Sequence, residues 1–175
     1  MVGKNRQNSQ LINKVAEVYD WLNSQIKDHK DPAGECCACG KCCDFDGFDH
    51  KLFVTSPELI YFVANLDIVL TAETAESAEE NKIKKNDNIK NLCVLCELSG
   101  KMKMSRCPYN VDGKCGIYEI RFSGCRIFTC KGDADFQGRL SEIVSKKFKA
   151  ICEQFQIPYR YTDLATALNE LAGDL

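Results

Sequence analysis

The sequence predicts a mainly α protein with a small, irregular β and cysteine-rich metal-binding core, an α+β arrangement. Three observations predict it. Apolar residues recur at helical spacing near both ends of the chain. The stretch between them carries turn signals but little periodicity of its own. Eight of its eleven cysteines fall into two groups: Cys36, Cys39, Cys42 and Cys43 in the run CCACGKCC, and Cys107, Cys115, Cys125 and Cys130 further on.

The first helix is expected over residues 9–29, where Leu11, Ile12, Val15, Val18, Tyr19, Leu22 and Ile26 form one stripe and Ser9 serves as N-cap. Trp21 falls at the edge of that stripe. Asp31-Pro32-Ala33-Gly34 breaks the helix and leads into the first cysteine loop. Residues 51–55 suit a short strand. Ser56-Pro57-Glu58 then combines a capping hydroxyl, a proline at the first helical position and an early acid, starting a helix that runs to about Leu66. Residues 71–91 turn polar, acids before bases, as in a solvated helix with i,i+4 pairs or a mobile insertion. The run NVDG at 110–113 reads as a hairpin turn, and residues 117–122 suit one helical turn. A second strong stripe, with Leu140, Ile143, Val144, Phe148, Ile151, Cys152 and Phe155, predicts a helix over residues 135–156 that ends before Pro158. Thr162 caps a last helix reaching Gly173.

At 175 residues the chain fits one domain spanning 1–175: an N-terminal helix, a cysteine core over 34–132, and C-terminal helices over 135–173. That length buries a hydrophobic core without needing crosslinks. A net charge of −2, from 23 basic and 25 acidic side chains, carries no footprint for nucleic acid or an anionic membrane. The longest apolar run, residues 59–64, is far shorter than the roughly 18 residues that span a bilayer. The polar N-terminus lacks the apolar segment of a secretion signal. A cytoplasmic, reducing setting follows, in which twelve cysteines are better explained by metal than by disulfides.

Thiolates three residues apart, as at positions 36, 39 and 42, can reach one metal centre from a short loop. Cys43 adjoins Cys42, and neighbouring side chains point in different directions. Cys43 is therefore expected to reach another ion or to support the site by hydrogen bonding. The expected ligands are Cys36, Cys39, Cys42, Cys43, Cys107, Cys115, Cys125 and Cys130. Cys37 reads as a spare thiol. Cys93 and Cys96 read either as a further Cys-x-x-Cys pair or as part of a strand with one buried thiol. Cys152, on its helix stripe, reads as core. His29 and His50 read as loop histidines in water rather than as ligands. Lys41, Arg106, Lys114 and Arg126 sit beside thiols, where cations favour thiolates.

These motifs resemble the family of zinc- or iron-chelating cysteine-cluster proteins (YkgJ-like) defined by a CxxCxxCC motif, here Cys36, Cys39, Cys42 and Cys43. That family's later signature is matched by Cys107-Pro108, Cys115, Ile117-Tyr118, Arg121 and Cys125-Arg126. Phe122 stands where the family usually has proline. The resemblance covers roughly residues 34–132 and implies an iron-sulfur or zinc site, with little reaction chemistry. A flagellin lysine methylase carries a related domain, so a role in protein modification is implied by analogy alone.

The expected function is that of a cytosolic metal-binding protein holding an iron-sulfur cluster, 4Fe-4S in type, with an electron-transfer role or a role supporting a protein partner. The triple rhythm 36/39/42 favours iron-sulfur, since zinc loops generally supply two ligands at a time. A zinc-binding structural module is the alternative, and a cluster-dependent protein-modifying enzyme a second. No phosphate loop, paired acids or Ser/His/Asp set points to a reaction.

Overall fold

The computed structural model describes residues 2–29, 39–47, 51–75, 105–130 and 132–173. Cys36, Cys37, Cys93, Cys96, His50 and residues 76–91 therefore lie outside the described residues. The described chain is mainly helical with a few small strands.

Helix α1 spans Val2–Asp28. It starts well before Ser9, because the polar residues ahead, Lys4, Arg6 and Gln7 among them, are good helix formers and nothing stops them. Strand β1 (Phe53–Thr55) leads straight into α2 (Ser56–Ala75). The capping residue is Thr55 rather than Ser56. Glu58 reaches back to accept from the Thr55 N–H at 2.9 Å and from its hydroxyl at 2.7 Å, one half of a capping box. Ser56 instead ties the helix start to the C-terminal segment, donating to Pro158 O and accepting from Arg160 N, both at 2.8 Å. The helix passes Leu66 because residues 67–75 hold no glycine or proline to end it.

The NVDG turn forms as expected. Strands β2 (Asn110–Val111) and β3 (Lys114–Cys115) pair antiparallel, joined by Asp112 and Gly113, both at positive φ. A 3-10 turn at Tyr118–Ile120 and the short helix α3 (Ser123–Ile127) follow. Helix α4 (Ala134–Phe155) is capped by Asp133, whose carboxylate accepts from Phe136 N at 2.8 Å. It ends at Gln156 in the left-handed region, two residues before Pro158. Strand β4 (Tyr161–Asp163) was not anticipated. It pairs antiparallel with β1, Val54 opposite Thr162, and the Phe53 and Tyr161 rings stack. Asp163, not Thr162, caps α5 (Leu164–Gly173) by accepting from Thr166 N at 3.0 Å.

Two apolar clusters organise these elements. One joins Leu11, Val15 and Leu22 of α1 to Ile127 of α3 and to Leu140, Val144, Phe148 and Ile151 of α4. The other gathers Leu52, Val54, Phe62, Ile117, Phe122, Leu164 and Leu168 from short segments far apart in sequence. Trp21 packs at the edge of the first, and Cys152 is buried core, as the stripes implied. Ile143, expected on the α4 stripe, is exposed. Among the described residues no helix is long and apolar enough to cross a membrane.

Candidate metal centre

The first cysteine loop is held by backbone hydrogen bonds rather than by a regular element. Gly40 enters it at φ +69°, and a 3-10 turn, Lys41–Cys43, carries Cys42 and Cys43. A Cβ on Gly40 would stand 2.8 Å from Asn110 Nδ2 and 3.3 Å from Gly113 O, so this loop lies directly on the β2–β3 hairpin. Past the turn the chain runs antiparallel to residues 105–107. Asp44 and Arg106 are bridge partners, Phe45 N donates to Ser105 O at 2.8 Å, and Cys107 N donates to Cys43 O at 2.7 Å. Sequence-distant thiols are thus sewn together by main chain.

Cys42, Cys107, Cys115 and Cys125 all pack, half-buried, against the second apolar cluster. The Cys43 thiol is held far below the ordinary range by hydrogen bonding with Cys107 first, then with Cys42 and Asn110. The 3-10 turn carries Cys42 and Cys43 on successive residues, and Cys42 contributes to lowering Cys43. Cys107, chiefly through its bond to Cys43 and then through burial, is pushed far above the ordinary thiol range, while Cys43 is held far below it. The two shifts run in opposite directions because they share one interaction. Cys125 is pushed up to about 12, first by burial and then by the charges of Cys115 and Cys43. Arg121 opposes that shift at Cys125, as Arg106 helps lower Cys43.

Thiolates are the donors that zinc sites and iron-sulfur clusters take. Crowded sulfurs that repel one another's charge are relieved by a metal ion, which inverts the local pKa order. Among the described residues, however, no three cysteine, histidine, aspartate or glutamate side chains already form a group able to hold one ion. The sulfurs gather through pairwise hydrogen bonds instead. Of the remaining expected ligands, Cys39 is exposed beside Gly40, and Cys130 is exposed in the turn between α3 and α4.

The sequence marks Glu58 only as an early acid at a helix start, not as a buried bridge. Its side chain is fully buried and joins three segments, accepting from Thr55 in β1, from Tyr19 OH of α1 at 3.2 Å and from Ser123 N at the head of α3 at 2.7 Å. Helix α3 carries Cys125, so Glu58 fixes the mount of that thiol. Only the Thr55-x-x-Glu58 spacing hinted at it. Arg126 is structural. Its guanidinium lies 4.4 Å from the Tyr19 ring centroid and donates to Glu119 O, Arg121 O and Asn23 Oδ1. Arg121 lies over the Tyr118 ring. Phe122 has φ −65°, the angle a proline ring imposes, and its ring packs on Phe62. His29 corrects the expectation of a histidine in water: it stacks on Phe136 at 3.6 Å, and its Nε2 is buried.

Comparison with family models, with curated proteins and with solved structures finds no match.

Proposed function

We propose that this chain is a cytoplasmic iron-sulfur protein whose two cysteine groups hold one centre, serving electron transfer or supporting a protein partner. One observation carries the reading. Backbone pairing sets Cys43 of the first group against Cys107 of the second, and Cys42, Cys107, Cys115 and Cys125 pack against one apolar cluster.

The proposed ligands come from Cys36, Cys39, Cys42, Cys43, Cys107, Cys115, Cys125 and Cys130, four of which satisfy a cubane. A bound cluster supplies one-electron chemistry. The chain's own contribution is to crowd the sulfurs, to offset their charge with Arg106 and Arg121, and to donate from Asn110 to the Cys43 sulfur. Such hydrogen bonds to sulfur are among the factors that tune reduction potential.

Air-free purification followed by metal and acid-labile sulfide analysis tests the reading. Equal amounts of iron and sulfide, with broad visible absorption that falls in Cys107→Ser and Cys125→Ser, support it. Zinc without sulfide moves the protein to a structural zinc module. A folded chain that takes up neither metal overturns the metal reading.

A further inference from the structure

The register between the first cysteine loop and the segment before the hairpin has a chemical consequence. Asp44 is the bridge partner of Arg106, and the flanking bonds Phe45 N to Ser105 O and Cys107 N to Cys43 O continue the same register. Cys43 therefore stands opposite Cys107, joined by one of the two bonds of a hydrogen-bonded pair, while Cys43 N donates to Gly40 O at 3.0 Å. Residues so paired have Cα atoms about 5.5 Å apart, inside the span of about 4.4–6.8 Å that a disulfide bridges. Cys42 is the nearest competitor, but adjacent Cα atoms lie about 3.8 Å apart, too close for an unstrained bridge.

We propose that Cys43 and Cys107 are a redox modification site, closing to a reversible disulfide when the chain meets a peroxide. One sulfur attacks the peroxide oxygen, giving a sulfenic acid and releasing water. The second sulfur then attacks the first, forming the S–S bond and releasing a second water. Two thiols are oxidised, one peroxide is reduced, and the two thiol hydrogens leave in the two waters. Little backbone movement is needed, because the main chains are already paired. The crosslink stands without the metal reading. Its regulatory consequence rests on that reading: closure withdraws two proposed ligands, so an oxidised chain loads less metal.

The full chain is stripped of metal by chelator under reductant, desalted, treated with hydrogen peroxide, and mapped by mass spectrometry without reduction. A dominant peptide pair joining Cys43 to Cys107 is expected. It should vanish on treatment with dithiothreitol, be absent from Cys43→Ser, and persist in Cys42→Ser. Bridges mainly to other cysteines, or only single-residue oxidation at Cys43, overturn the proposal. Oxidised and reduced chains are then offered ferrous iron with sulfide, and separately zinc. At least a several-fold lower uptake by the oxidised chain supports the switch, and equal uptake overturns it. If the reduced chain takes up neither metal while the bridge still forms, the metal reading fails and the crosslink survives. If the reduced chain loads but no bridge forms, the crosslink alone fails.

Discussion

The two apolar clusters are built on different principles. The first is filled by aliphatic and aromatic side chains from α1, α3 and α4, and it needs nothing beyond their burial. The second is assembled from short strands, a 3-10 turn and pieces of helix, with thiols packed against it. Long amphipathic helices supply their own backbone hydrogen bonds, so side-chain packing alone decides the first cluster. Short segments do not, and the second relies on cross-chain bonds such as Cys107 N to Cys43 O. Stability should therefore be resident in the first, and any dependence on the proposed metal confined to the second.

The largest expected effect lies in the first cluster. Phe148 is fully buried there, and Phe148→Ala should cost about 3–5 kcal/mol by urea denaturation, equally with and without bound metal. A loss that depends on metal would show that the two clusters are not separable in this way. Glu58→Gln comes next, because Glu58 bridges both clusters. With one carboxylate oxygen replaced by an NH₂ group, a buried donor loses its acceptor, at about 1–3 kcal/mol. Metal content should fall along with stability if the α3 mount matters to Cys125.

Gly40→Ala sharpens the contrast from the other side. An alanine at φ +69° with its Cβ against Asn110 strains the loop, at about 1–3 kcal/mol. Hydrogen exchange should show the effect in the β2–β3 hairpin and leave the α1 and α4 amides unchanged. The smallest effect is a pH dependence. Burial first, and then Glu58, raise the Tyr19 phenol well above its ordinary value near 10. Above that pH the unfolded chain ionises Tyr19 while the folded chain keeps it neutral. Stability contributed by Tyr19 is thus fully present below pH 10 and declines as pH rises beyond it. Tyr19→Phe should flatten that alkaline decline in a stability–pH profile; an unchanged slope would remove Tyr19 as its source.

The first cluster was nearly all legible in sequence, because helical periodicity reports burial directly. Leu11, Val15, Leu22, Val144 and Phe148 are where their spacing put them. Helix ends were less legible, since Ser9 and Ser56 have capping chemistry but Thr55 and Asp163 have the capping geometry. Strand β4 was invisible because three residues carry no period, and only its pairing with β1 defines it. The hairpin was legible because Asp112-Gly113 tolerates the backbone the turn demands. Neither the meeting of Cys43 with Cys107 nor the role of Glu58 could be read from spacing, as both cross long separations in the chain.

Local chemistry by itself determined where the long helices lie and where the hairpin turns. Those outcomes depend on dihedral preferences and on side-chain period, which act over a few residues. Tertiary structure alone decided which thiols face one another, which acid is buried, and which residue caps each helix. Each of these requires two distant segments to satisfy one another's hydrogen bonds, and no short window of residues contains both partners.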